Sequence, residues 1–229
     1  MKRIGLIGGM SWESTAVYYR LINQAVRRRH GGLHSADLLL HSVNFAEIVA
    51  CQTAGRWDQA ADLLTASARH LEQAGADMVL ICTNTMHLVA DAVAAALSVP
   101  LLNIIDATGA AVRRNGCAQP LLLATRYTME QGFYADRMAR QGLTLRIPAA
   151  AERQRMHDII FQELCHGVIR EESRRAVLDI IARHRAEGAD SVILGCTEIC
   201  LLIEPQMQDG PLFDSTALHA DAAVALALA

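Results

Sequence analysis

Aromatic side chains are scarce in this sequence: 4% of its 229 residues are Phe, Trp or Tyr, although 52% are hydrophobic. The interior must therefore be built from Ala, Leu, Val and Ile, a supply that suits parallel strands covered by helices. Neither sign of charge dominates, since the net charge is −3 with acidic and basic residues interspersed. The densest basic cluster, Arg27, Arg28 and Arg29, falls near the end of a predicted helix, where cations complement the dipole. Nucleic acid is not an expected partner. No apolar stretch is long enough and free enough of charge to span a bilayer, so no membrane association is expected. The opening M-K-R-I-G-L-I-G-G-M has too short an apolar run for a signal peptide before Glu13 and Arg20 interrupt it.

Two cofactor signatures are also missing. Gly5, Gly8 and Gly9 are spaced G-x-x-G-G, not G-x-G-x-x-G, and His41-Ser42-Val43-Asn44 supplies no acidic partner for a ribose. A dinucleotide is rejected, and no cofactor is expected. Cys196 and Cys200 fall on one helical face, but no C-x-x-C pair accompanies them, so no metal is expected either. The six cysteines (51, 82, 117, 165, 196 and 200) are read as free thiols of a cytoplasmic protein, most of them packing residues.

What is present is a β-then-α rhythm. Arg3–Ile7, Ala36–Val43, Asp77–Ile81, Leu101–Ile104, Pro120–Ala124, Leu143–Ile147, Ser191–Leu194 and Leu212–Phe213 read as strands. Helical spacing fills the intervals, as in Val177, Ile180 and Ile181. The expected fold class is α/β with mostly parallel sheets. An internal echo refines it: A-G-A-D-M-V-L-I-C-T-N-T (74–85) returns as E-G-A-D-S-V-I-L-G-C-T-E (187–198). The strand before Gly8-Gly9-Met10-Ser11 likewise has a counterpart before Thr125-Arg126-Tyr127-Thr128. The expectation is two similar Rossmann-like domains related by a pseudo-two-fold, with the active site in the cleft between them. Residues 1–115 would form the first, completed by a C-terminal helix over 215–229, and residues 116–214 the second.

Aligning Gly75 with Gly188 and Asp77 with Asp190 sets Thr83, not Cys82, opposite Cys196. Four polar turns follow strands: Gly8–Ser14, Thr83–His87, Thr125–Thr128 and Cys196–Ile199. Ligands of parallel α/β sheets bind beyond such strand ends, and helix N-termini there favour anions. Capping by Ser11, Thr85 and Thr128 explains any one turn. Four together favour an anionic ligand.

Three segments carry a resemblance. G-L-I-G-G-M-S-W-E-S-T (5–15), T-N-T-M-H (83–87) and G-C-T-E-I (195–199) closely resemble the aspartate/glutamate racemase family, which works without pyridoxal phosphate. The likeness spans the whole chain. With L-H-S-V (40–43) and T-R-Y-T-M-E-Q (125–131), it is closest to a bacterial broad-specificity amino-acid racemase subgroup. The family's first motif is generally C-N-T-x-H, so its first catalytic cysteine maps onto Thr83. A lysine thought to hold the substrate's side-chain carboxylate is replaced by Cys165, and Arg126, Gln52 or a backbone turn would have to substitute.

The resemblance implies removal of the α-proton from one face of an amino acid, aspartate or glutamate first, and reprotonation on the other. Thr83 and Cys196 would be catalytic. Asn84, Thr85, Thr125, Thr128 and Thr197 would bind the α-carboxylate and amino group, with Met10, Ser11 and Gln52 touching the substrate. Glu198 would tune Cys196 or accept the substrate ammonium. A thiol with pKa ~8.5 needs about 2 kcal/mol of local stabilisation to be half ionised near neutrality, which a helix start can provide. An alcohol as weakly acidic as water needs about 12 kcal/mol at pH 7. Thr83 is thus a donor or relay, acting through water or His87, and Cys196 is the base. The alternative is a single-thiol decarboxylase or isomerase acting on a dicarboxylate. A third reading is a member that binds amino acids or an anionic metabolite without turnover. The family is often dimeric, which makes a homodimer compatible with the resemblance.

Overall fold

The structure is a computed structural model and describes residues 1–229. It contains seven strands: β1 (Ile4–Gly8), β2 (Leu38–Ser42), β3 (Met78–Ile81), β4 (Leu101–Leu102), β5 (Pro120–Leu123), β6 (Ser191–Leu194) and β7 (Leu212–Asp214). They form two sheets, ordered β2-β1-β3-β4 and β5-β6-β7, and every pairing is parallel. The expected eighth strand, Leu143–Ile147, is not one. Only Arg146 pairs, bridging to Leu121, and Pro148 then removes the next backbone donor.

Helices alternate with the strands. In the first half they are α1 (Trp12–His30), α2 (Phe45–Thr53), α3 (Trp57–Gln73) and α4 (Ala90–Ala95). The second half adds α5 (Ile104–Arg114), α6 (Arg126–Glu130), α7 (Phe133–Ala139), α8 (Ala150–Asp158), α9 (Glu171–Ala186) and α10 (Ser215–Leu228). Local chemistry sets α1. Ser11 caps its N-terminus, Glu13 sits in the first turn, Arg27 to Arg29 in the last, and Gly31 ends it at φ 72°. Tyr18, Ile22, Ala25 and Val26 recur at helical spacing and are its buried stripe.

The chain divides into two compact units, residues 1–104 with 219–229, and residues 105–218. The division falls one helix earlier than the expected break at 115/116. The start of α5 is held within the second unit: Asp106 takes Arg137 Nη2 at 2.7 Å, and Gln141 Nε2 donates to the Ile105 carbonyl at 3.4 Å. Residues 215–218 of α10, expected to complete the first domain, also lie in the second unit, where Ser215 Oγ donates to the Leu194 carbonyl at 2.8 Å.

Strand alternation sorts the first unit's core. Ile4, Leu6, Met78, Leu80 and Cys82 face α1 and the end of α10, packing on Tyr18, Ile22, Ala220 and Val224. Ile7, Val79 and Ile81 face the other side, packing on Ile48, Leu64 and Ala68.

The repeated Gly-Ala-Asp segments perform one local task twice. Gly75 and Gly188 sit at φ 91° and 104°, a region favouring glycine, and each turns the chain out of a helix. The aspartate that follows then clamps a neighbouring strand. Asp77 Oδ2 accepts the Arg3 amide at 2.6 Å, while Asp190 Oδ2 accepts the Ala118 and Gln119 amides at 2.6 and 2.8 Å.

Candidate active site

In the first unit, β1 and β3 are neighbours, so the Gly8–Ser14 and Thr83–His87 turns leave the sheet side by side. Their link is direct: Ser14 Oγ donates to the Cys82 carbonyl at 3.4 Å. The glycine turn is tightly built. A side chain on Gly9, at φ 88°, would meet the Val43 carbonyl oxygen at 2.3 Å, and one on Gly8 would meet Thr15. The Gly9 amide donates to Thr15 Oγ1 at 2.8 Å, and Ser11 Oγ accepts the Ser14 amide at 3.2 Å. Much of the donor capacity expected for an anion here is therefore used internally. Met10 lies in the core beside Ile7 and Ile48, where packing accounts for it.

Cys82 and Thr83 point to opposite faces of the strand end. Cys82 is wholly buried in the α1-side core, and burial pushes its thiol far above its ordinary range. Thr83 is half-buried, and Asn84 and Thr85 are buried after it. His87 anchors this turn through a fixed tautomer. The Ile104 amide donates to its Nε2 at 3.1 Å, so Nδ1 carries the hydrogen and donates to the Thr83 carbonyl at 2.8 Å. Both nitrogens are committed to backbone, which closes His87 as the proton relay expected from sequence; it positions Thr83 instead. Gln52 is buried on α2, and its amide lies 3.1 Å from the Met86 sulfur, a weak acceptor.

Behind His87 lies a second buried histidine, His219. His219 accepts from Tyr18 Oη at Nδ1 (2.9 Å) and donates from Nε2 to the Leu102 carbonyl (3.0 Å). Burial, with His87 beside it, holds its pKa down to about 3. Folded His219 stays neutral while the unfolded chain protonates below about pH 6.5, so stability is intact above that pH and falls by about 1.4 kcal/mol per unit below it. Urea unfolding at pH 7 and pH 4.5 is expected to show about 2–3 kcal/mol more loss in the wild type than in His219→Gln.

In the second unit β5 and β6 are neighbours, and the Gly195 amide donates to the Leu123 carbonyl at 2.8 Å. Thr125 caps α6, accepting the Thr128 amide at 3.4 Å, and the two hydroxyls lie 3.1 Å apart. The capping expected of Thr128 thus falls to Thr125. Gly195 occupies the place of Cys82, and any side chain there would strike Leu122 and Ala124. Cys196 then leads a short 3-10 turn, Thr197–Leu201. Its half-buried sulfur donates to Glu198 Oε2 at 2.8 Å, and Thr197 Oγ1 donates to the same oxygen at 2.7 Å.

This geometry reverses one expectation. Cys196 was expected to be acidified by a helix dipole, but a five-residue 3-10 turn supplies little of one. Burial and the Glu198 carboxylate instead raise its pKa well above the ordinary value. Cys196 rests as a thiol hydrogen-bonded to a carboxylate. Arg126 is no substitute for the missing lysine, because it points to Gln154 and Glu130 and overlies Tyr127. The chain's single lysine is the exposed Lys2. No group of three His, Cys, Asp or Glu is placed to hold a metal ion, and no helix is long and apolar enough to cross a membrane.

Comparison with known proteins gives this geometry its setting. An Asp/Glu racemase candidate from Yersinia pestis is 49% identical and covers 100% of both chains with a TM-score of 0.95. An aspartate racemase homologue from Pyrococcus horikoshii is 34% identical, also over 100% of both chains, with a TM-score of 0.87. The broad specificity amino-acid racemase RacX of Bacillus subtilis is 22% identical over 99% of this chain and 98% of its own. The model of the Asp/Glu/hydantoin racemase family matches residues 7–223, from the first strand to the last helix, and the chain belongs to that family.

Proposed function

We propose that this amino-acid racemase inverts the α-carbon of aspartate or glutamate, with Cys196 and Thr83 serving opposite faces. The observation that carries the reading is the 2.8 Å hydrogen bond from the Cys196 thiol to Glu198, two residues beyond β6. Thr83 stands two residues beyond β3, its counterpart in the repeat.

A racemase needs its acid–base group charged in one direction and protonated in the other. Cys196 and Glu198 meet that need by holding one proton between them. With the proton on Glu198, the thiolate takes hydrogen from Cα. With it on sulfur, the thiol returns hydrogen to the carbanion. On the other face the Thr83 hydroxyl donates and is reprotonated in step by a solvent proton while Glu198 releases its own to solvent, and the opposite direction runs the same transfers backwards; no free alkoxide forms, since one costs about 12 kcal/mol at pH 7. Hydroxyls of Thr125, Thr128 and Thr197, with Asn84, Thr85, Ser11 and the amide of Gln52, are the proposed ligands of the carboxylates and ammonium. The polar strand ends and the similarity to Asp/Glu racemase relatives support an acidic substrate.

Because the equilibrium constant of a racemisation is one, kcat/KM must be equal for the two enantiomers in one solvent. Thr83→Ala is expected to lower kcat/KM by about 10²–10³-fold from both sides, the usual size of a lost proton donor, while Thr83→Cys retains or raises it. Circular dichroism during conversion of each enantiomer measures this. Unchanged activity in Thr83→Ala would remove Thr83 from the mechanism. In D2O, L-aspartate or L-glutamate should gain deuterium at Cα; a single-thiol decarboxylase of other diacids would leave both undeuterated.

A further inference from the structure

The chain's six thiols separate into two groups. Cys51, Cys82 and Cys117 are buried, whereas Cys165, Cys196 and Cys200 are partly accessible. Two short turns of the second unit pack together, Leu164–His166 and Thr197–Leu201; Cys165 lies on the first, Cys200 on the second, and Cys196 is the residue that leads into the second. We propose that Cys165 and Cys196 form a reversible disulfide that silences the enzyme, making this pair an oxidative modification site.

Proximity singles out Cys165. Its sulfur lies within electrostatic reach of Cys196, whose thiol already donates to Glu198. Cys200 is turned elsewhere: its sulfur donates to the Cys196 backbone carbonyl at 4.0 Å, and burial with the Asp214 carboxylate nearby raises its pKa. The backbone around Cys165 has room to adjust. It follows a π-helical turn, Ile159–Glu163, and precedes Gly167 at φ 70°, around which there is open space.

The chemistry balances with hydrogen peroxide as oxidant. Cys196 passes its proton to Glu198, and the thiolate attacks one peroxide oxygen; the O–O bond breaks, the departing hydroxide takes the proton from Glu198 and leaves as water, and Cys196 is left as sulfenic acid. The Cys165 sulfur then attacks the Cys196 sulfur, the S–O bond breaks, and a second water leaves as the S–S bond forms. The two sulfurs lose two electrons and peroxide gains them. Burial keeps Cys196 protonated at rest, so the reaction is slow near neutrality and quickens as pH rises.

The test treats the reduced full-length protein with hydrogen peroxide, blocks remaining thiols, and maps peptides after cleavage at Arg and Glu. Cleavage after Glu198 separates Cys196 from Cys200. The expected product is a Cys165–Cys196 cross-link that dithiothreitol reverses. Racemase activity should fall by about tenfold or more as the link forms and return on reduction. Cys165→Ser should start active and keep its reversible response far smaller at the same dose. A Cys196–Cys200 link, uncoupled sulfenic or sulfinic acid at Cys196, or equal reversible inactivation of Cys165→Ser would overturn the proposal. The loss of activity rests on Cys196 as proton carrier, but the cross-link does not: a link that forms without inhibition counts against the proposed role of Cys196 and the silencing, not against the bond.

Discussion

Replacing Cys196 by alanine is expected to lower racemisation by about 10³-fold or more from either enantiomer, with the fold intact. Neither Cys82 nor Cys200 can stand in. Cys82 belongs to the hydrophobic core and faces away from Thr83's side of the strand, and Cys200 is turned to the Cys196 carbonyl with its pKa raised by burial and by Asp214. The remaining hydroxyls are too weakly acidic to abstract an α-proton unaided. Because the Cys196 side chain is half-buried on a short turn, its truncation should cost little stability. Polarimetry or circular dichroism measures the rate, and thermal unfolding provides the control. Activity within a few-fold of wild type would end the scheme.

The second large effect is expected for Glu198→Gln: a loss of about 10²-fold in kcat/KM near pH 7, shrinking as pH rises. Two opposing consequences decide the sign. Removing the carboxylate removes a negative charge that raises the Cys196 pKa, which favours the thiolate. It also removes the only group seen accepting the thiol proton, and burial, the larger cause of the raised pKa, remains. The variant must therefore reach its thiolate by losing a proton to solvent, and its activity should climb about tenfold per pH unit while the wild-type profile stays flatter. A merely structural role for Glu198 predicts a loss of the same size at every pH. The pH–rate profile separates the two.

The sequence was most informative where one physical rule acts alone. Strand-length apolar runs located seven strands and their parallel class, because strands covered on both faces read as continuous hydrophobic segments. Leu143–Ile147 misled for the same reason: its composition suits a strand, yet pairing depends on a neighbour, and only Arg146 forms a bridge to one. Alignment of the echo favoured Thr83 over Cys82, and alternation in β3 supplies the cause by sending Cys82 into the core. The acidity of Cys196 could not be read from order along the chain. It depends on where Glu198 folds back and on a turn that stops short of an α-helix. His219 was equally hidden, since its partners Tyr18 and Leu102 lie 201 and 117 positions away.

The two aspartate clamps also act as rulers. Six positions separate Asp77 from Thr83, and six separate Asp190 from Cys196. Since successive side chains alternate, inserting one residue inside either interval would turn Thr83 or Cys196, the proposed reactive groups, toward the interior, whereas lengthening the loop over 31–37 or 204–211 would leave that count untouched. Natural or engineered length variation in this protein should therefore gather outside those two short spans.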